Sequence, residues 1–261
     1  MAEVEHATYR VGDTVILDDV SVNFVPGAFN VILGPNGAGK STLLAIATGL
    51  LRPTSGQVRY GDRLVGEYSA TALARKRAVL SQRVDLAFPL DVEDVVLMGR
   101  YPHYGRTPSK RDRDIVTRAL ELVGMTARRR QRYTTLSGGE QQKVQLARVL
   151  AQIWNYDEPR EPRFLFLDEP TTSLDIHYQL HLLDVARGIL DYDCTVIAIL
   201  HDITMALQYG DVFFLMEDGR VVHEAHDAAD VPAELVERVF RVRASRVADP
   251  ADGQPLWRFS L

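Results

Sequence analysis

Residues 30–51 read NVILGPNGAGKSTLLAIATGLL. The apolar run at 30–33 has the character of a strand buried on both faces, and STLLAIATGLL continues as a helix. Between them GPNGAGKST, residues 34–42, matches G-x-x-x-x-G-K-[ST]. Strand, glycine-rich loop and helix in that order are what a phosphate-binding loop requires, and a chance Gly-rich turn would lack the flanking elements. The glycines let several backbone N–H groups converge on phosphate oxygens at a helix N-terminus. Lys40 would neutralise the outer phosphates and the Ser41 hydroxyl can ligate Mg²⁺. Gly34, Pro35, Asn36, Gly37, Ala38, Gly39, Lys40, Ser41 and Thr42 are therefore the candidate nucleotide-binding set.

Working outward, Arg52-Pro53 is expected to close the helix, because proline cannot continue it. TSGQVRYGDRLV follows, with Gly56 and Gly61 as turn residues around a short strand, so residues 1–67 read as short strands around one helix. Residues 84–150 change character. SKRDRDIVTRALELVGM places Ile115, Val116, Ala119, Leu120 and Val123 on one helical face. A second helix after Leu136-Ser137-Gly138-Gly139 continues through Val144, Ala147 and Leu150, which makes this block a helical subdomain inserted in the core. RFLFLDEP, TVIAIL and DVFFLM are apolar on both parities, as strands of a largely parallel sheet are. Asp218-Gly219 is a hairpin signal, and PAELVERVF is a short helix in a C-terminal extension of 231–261. The expected class is α/β, a single domain over 1–261.

The 261 residues exceed the roughly 150 of an average domain, enough for one large lobe or two small ones. An apolar share of 46% with 25% charged residues is that of a folded globular chain rather than a disordered one. Thirty Lys and Arg against thirty-five Asp and Glu give a net charge of −5, so no global field draws the chain to nucleic acid. No apolar run reaches the roughly 18 to 20 residues that cross a bilayer, and MAEVEHATYR lacks the pattern of a signal peptide, so a cytoplasmic chain is expected. Cys194 can form no internal disulfide and reads as a small residue at a strand edge.

RFLFLDE puts Asp168 and Glu169 directly after a buried-type strand, where the first can hold Mg²⁺ and the second can orient or deprotonate a water. Two acids there could equally be helix-capping charge; beside a phosphate loop they point to nucleoside triphosphate hydrolysis. Gln82 and His201 each stand just beyond an apolar strand, at the edge where ligands collect in such sheets.

LSGGEQQKVQLARVL, residues 136–150, resembles the signature segment of ATP-binding cassette (ABC) ATPases. The order phosphate loop, Gln82, signature, Asp168-Glu169, TSLD at 172–175 and His201 is similar to that family's order over essentially the whole chain. The resemblance implies a RecA-like core, an antiparallel β subdomain and a helical signature subdomain, with ATP and Mg²⁺ bound. It implies that Glu169 is the catalytic base, His201 the γ-phosphate contact, Ser41, Gln82 and Asp168 the Mg²⁺ set, and Asp175 the D-loop residue. Ser137, Gly138 and Gly139 open a helix and so offer a second anion site. In the family Leu136, Ser137, Gly138, Gly139 and Glu140 face the nucleotide of a partner subunit, which implies a head-to-tail homodimer enclosing two ATP. One departure concerns adenine: the position usual for a stacking aromatic is Val11, so either Tyr9 reaches the base or stacking is weak.

RAVLSQRVDLAFPLDVEDVVLMGRYPH, residues 77–103, resembles ATPase subunits serving importers of haem, iron-siderophores and cobalamin, chiefly in AFP and GRYPH. That implies a docking surface for the coupling helix of a membrane permease present in two copies, at the cytoplasmic face of the inner membrane. The polar stretch NYDEPREP, 155–162, resembles an insertion of haem importers, which favours haem, delivered by a periplasmic or extracellular haem-binding protein, over a siderophore or cobalamin. It could instead be a neutral loop extension. A soluble ABC ATPase of DNA repair or the ribosome is the rival outside transport; it is disfavoured by the absence of a coiled-coil insert and of a second fused cassette. His177 and His181 have metal-ligand spacing but read as a solvated helix face, the Arg128–Arg132 run as a solvated helix end, and Trp257 and Phe259 as packing groups.

Overall fold

A computed structural model describes residues 1–81, 88–154, 162–171, 174–248 and 255–260. Gln82, most of the NYDEPREP stretch, and Thr172-Ser173 lie outside the described residues. The chain divides into two compact units, Met1–Val65 with Ile197–Leu261, and Gly66–Val196.

The first unit opens with β1 (Ala2–Val11) and β2 (Thr14–Phe24), an antiparallel pair much longer than the short strands expected. Their inner face, Val4, Ala7, Leu17, Val20, Val22 and Phe24, is buried. The alternation slips at a bulge where His6 and Asp19 take positive φ and their side chains meet at 2.8 Å. The bulge hides the strand from a period-2 reading because it shifts parity halfway along. β3 (Phe29–Leu33) is buried at every position and leads into α1 (Lys40–Ala47). The helix stops well before Pro53: Thr48 caps it and Gly49, at φ 72°, turns the chain away. β4 (Ser55–Tyr60) and β5 (Arg63–Leu64) complete a sheet of order β2-β1-β4-β5. Gly56 lies inside β4 and is no turn; a Cβ there would stand 2.3 Å from the His6 carbonyl oxygen, so it is a close-approach glycine beside the bulge.

The second unit holds α2 (Ala70–Lys76), β6 (Arg77–Leu80), α3 (Val92–Leu97), α4 (Lys110–Leu122), α5 (Gly138–Ile153), β7 (Arg163–Asp168) and α6 (Ile176–Gly188). β6 and β7 pair in parallel from Arg77 opposite Phe164 to Leu80 opposite Leu167. α5 is the hub: Val144, Leu146, Ala147, Val149, Leu150 and Ala151 are buried as it packs against α3, α4 and α6. α4 and α5 both begin with a capping box, Ser109 with Asp112 and Ser137 with Glu140, which satisfies N–H groups that a helix start leaves open. Ile115, Val116, Ala119 and Leu120 are the buried stripe of α4.

β8 (Cys194–Ile199) is buried throughout and carries the chain back to the first unit. Burial there pushes the Cys194 thiol up to about 12, which keeps it protonated and inert. α7 (Ile203–Tyr209), β9 (Val212–Glu217) and β10 (Arg220–Ala225) follow, with β9 parallel to β3 and antiparallel to β10. Asp218 and Gly219 turn that hairpin with φ of 47° and 76°. α8 (Ala233–Phe240) precedes β11 (Arg243–Ala248) and β12 (Pro255–Ser260), so the tail forms an antiparallel pair in which Trp257 and Phe259 stack at 6.1 Å.

Candidate active site

In the first unit the loop 34–39 wraps a single ammonium group. Lys40 is 5% exposed, and its Nζ donates to the carbonyls of Gly34 and Pro35, each at 2.9 Å. The N-cap of α1 is Gly39 at φ 94°, with no side-chain cap, so the first turn of this helix is left to other acceptors. Glycine is required at Gly34, where a Cβ would lie 2.3 Å from the Met216 oxygen, and at Gly39, where it would meet Leu17 at 2.7 Å. At Gly37 (φ 83°) the corresponding space is open, and Asn36, Gly37 and Ser41 are exposed. Backbone donors, a buried cation and an exposed hydroxyl form a set that fits a triphosphate with its Mg²⁺.

The hairpin tip holds this loop in place, a relation that sequence reading missed. Gly219 donates its N–H to the Ala38 carbonyl at 3.2 Å and accepts from the Asp18 N–H at 3.0 Å. Arg220 pairs with the Asp18 carboxylate. The same unit carries His201, exposed one residue past buried Leu200, and Asp202, which caps α7 by accepting from the Met205 N–H at 3.0 Å. Tyr9 is half-buried opposite Leu17, whereas Val11 is 58% exposed at the hairpin end.

In the second unit Asp168 ends β7 and Glu169 follows at φ 51°, a left-handed conformation that costs a non-glycine residue strain. Gln142 of α5 donates to the next carbonyl, Pro170, at 2.7 Å. Ser137 caps α5: its Oγ accepts from the Glu140 N–H at 3.4 Å, and the Glu140 carboxylate accepts from both the N–H and the Oγ of Ser137, each at 3.0 Å. Those two bonds, backbone first, hold the Glu140 carboxyl below its usual range; Arg128, at 2.9 Å, adds to them. Gly138 has nothing within 4 Å of where a Cβ would be, so the helix end is open on that side. Leu136 is buried behind it. Asp175 caps α6 through the Tyr178 N–H at 3.1 Å.

Residues 17–172 match the ABC transporter family. The chain belongs to that family. It is 41% identical over 97% of its length, and 95% of the relative's, to the hemin import ATP-binding protein HmuV of Rhodopseudomonas palustris (strain HaA2). Among solved structures it is similar in fold to a metal-chelate type ABC transporter in an inward-facing conformation, with TM-score 0.82, 22% identity, and 100% and 97% of the two chains covered. It is likewise similar to the dimeric ATP-binding cassette MJ0796 bound to ADP and phosphate, with TM-score 0.72, 27% identity, and 87% and 98% covered.

As an ABC ATPase the chain binds nucleotide and hydrolyses ATP in transport; its α/β cassette is of a kind that forms dimers and works with membrane permease components. Among the described residues no helix is long and apolar enough to cross a membrane. The arginine run is exposed, as a solvated helix end is expected to be, and three of its members also make surface ion pairs: Arg128 with Glu140, Arg129 with Glu93 at 2.6 Å, and Arg132 with Asp91 at 3.2 Å. In GRYPH, part of the stretch expected to dock a permease, Arg100 and His103 turn inward onto α5 carbonyls. Only Tyr101 is a strongly exposed large apolar group there, as is Phe88 of AFP. His181, half-buried, meets the Leu122 carbonyl at 3.0 Å, and His177 is exposed.

Proposed function

We propose that this ABC ATPase powers haem uptake through a separate permease present in two copies, as a homodimer held peripherally at the cytoplasmic face of the inner membrane. A periplasmic or extracellular haem-binding protein then acts on it only indirectly. The observation that carries the cargo is identity of 41% across nearly the whole chain with a hemin import ATP-binding protein. The GRYPH and NYDEPREP stretches support the same reading.

In this reading the phosphate loop, Gly34 to Thr42, cradles the triphosphate through its N–H groups, and Lys40 exchanges its two loop carbonyls for phosphate oxygens. Tyr9 reaches the adenine. Ser41, Gln82 and Asp168 would hold Mg²⁺, which would offset phosphate charge. Glu169 takes a proton from the attacking water as the water oxygen bonds to the γ-phosphorus and the bridging P–O bond breaks toward ADP. His201 contacts the γ-phosphate. The partner's copy of the Leu136–Glu140 segment closes the far side with the open start of α5, and Asp175 lines the same interface. Closure around two ATP favours the dimer by mass action, and hydrolysis reopens it, which moves the permease between access states.

The test is ATPase activity of the chain reconstituted in liposomes with its permease and a cargo-loaded binding protein. Haem should stimulate turnover where ferric-siderophore and cobalamin do not. Stimulation by one of those chelates instead would replace the cargo, and none at all would remove the transport partner assigned here.

A further inference from the structure

Several contacts bind the start of α5 to the segment that follows β7. Gln142 Nε2 donates to the Pro170 carbonyl at 2.7 Å, one residue past Glu169. On α6, Gln179 Nε2 donates to the carbonyls of Thr171 and Leu174 at 3.0 and 3.1 Å. The Lys143 ammonium lies 3.4 Å from the centre of the Tyr178 ring, and a Cβ on Gly139 would touch Leu174 at 3.5 Å. Gln142 stands three and four residues beyond Gly139 and Gly138, so on a helix it shares their face. A displacement of the helix start is therefore felt directly at Pro170.

The gripped turn is the strained one. Glu169 at φ 51° persists only where its surroundings hold it, and Pro170 can donate no backbone hydrogen bond of its own. Gln142 supplies a donor at this turn. Without it Glu169 can relax to an ordinary φ, which re-aims its carboxylate.

We propose that Gln142 is a positioning residue: it holds the Glu169-Pro170 turn in its hydrolytic geometry and ties that turn to the helix end that receives the partner subunit's nucleotide. The second half rests on the function proposed above, in which Ser137 to Gly139 meet phosphate across the dimer. Nucleotide arriving at one composite site then sets the carboxylate of the other, a coupling path carried by one side-chain amide.

The experiment compares steady-state ATPase of Gln142→Glu, Gln142→Ala and Gln142→Lys homodimers over a range of ATP. Gln142→Glu keeps the shape but presents no donor, so kcat falls about tenfold to a hundredfold, as expected when a reacting group is misplaced by an ångström or less. KM for ATP changes by less than about twofold, since the phosphate loop is untouched, and the Hill coefficient falls to about 1. Gln142→Ala behaves alike, and Gln142→Lys, which restores a donor, recovers kcat. Thermal melts and fluorescent-nucleotide binding verify that each variant is folded. Native kcat and cooperativity in Gln142→Glu would overturn the proposal, as would a kcat loss that Gln142→Lys does not relieve.

Mixing native chains with chains that carry both Gly138→Glu and Glu169→Gln separates this idea from the reading beneath it. In a head-to-tail pairing both composite sites of a mixed dimer are broken, so an equal mixture keeps about a quarter of native activity, whereas sites built within one chain would keep about a half. A quarter together with a native-like Gln142→Glu removes Gln142 alone; a half removes the partner-facing helix end and the coupling with it.

Discussion

Replacing Arg100 by Met should destabilise the second unit sharply. The guanidinium is 3% exposed and the Asp112 carboxylate 6%, with Nε at 3.0 Å from Oδ1. The same guanidinium donates to the carbonyls of Ala151 and Trp154 at 2.7 and 2.8 Å, at the C-terminal end of α5. Methionine keeps most of the apolar stem but no donor, so a buried carboxylate loses its cation and two carbonyls lose this donor. Breaking a buried pair from one side costs about 3 to 5 kcal/mol. Asp112 retains the Ser109 N–H at 2.9 Å and hydroxyl at 2.6 Å, which places the loss toward the lower end. At roughly 2 to 4 °C per kcal/mol for a chain of this size, Tm falls by about 6 to 20 °C at neutral pH.

The pH dependence has a definite sign. Burial pushes the Asp112 carboxyl up, but the Ser109 bonds and then Arg100 outweigh it and hold it below its ordinary range. A depressed carboxyl stabilises the fold above its unfolded pKa of about 4 and loses that contribution as pH falls through the folded value. The gap in Tm between native chain and variant should therefore narrow as pH is lowered from 7 toward about 3. Circular dichroism melts at both ends of that range read it directly. A variant melting within about 2 °C of the native chain at pH 7 would refute the reasoning, because the pair would then carry almost no net energy.

Two further substitutions test separate parts of the description. Glu169→Gln should keep nucleotide affinity while turnover drops by about 10² to 10⁴, the usual worth of a general base; native turnover in a single-turnover assay would take Glu169 out of the mechanism. Gly99→Ala should lower Tm, since its Cβ would fall 2.1 Å from the Arg148 carbonyl oxygen, and Gly66→Ala, with nothing within 4 Å, serves as the control. The expected cost is about 1 to 3 kcal/mol of overpacking, so equal melts for the two would show that the 98–103 turn can move off α5 freely.

What sequence reading recovers here follows the range of the forces involved. The phosphate loop is legible because its motif is contiguous and Lys40 folds back onto Gly34 and Pro35 within the same turn, even though the close approaches that require Gly34 and Gly39 come from Met216 and Leu17 far along the chain. The stripe of Ile115, Val116, Ala119 and Leu120 is legible because an amphipathic helix repeats its pattern over several turns. β1 and β2 were underestimated because one bulge shifts the parity on which the strand reading depends.

The partners of charged residues are the least legible feature, for a physical reason. A run of arginines or an R in a docking-like motif says nothing about which acid the fold will bring to it. Arg129 finds Glu93 across 36 positions, and Arg100 reaches Trp154 across 54. The exposed basic run before α5 also reaches the helix start: Arg128 pairs with Glu140, which accepts from the N–H and hydroxyl of Ser137. Arg100, which is buried, holds the other end of α5 through the Ala151 and Trp154 carbonyls, the firmer of the two contacts because exposed ion pairs contribute little. Under the function proposed above, a nucleotide contact at Ser137 would act on a helix whose far end is anchored, so its effect would be felt near the helix start, where Gln142 meets Pro170.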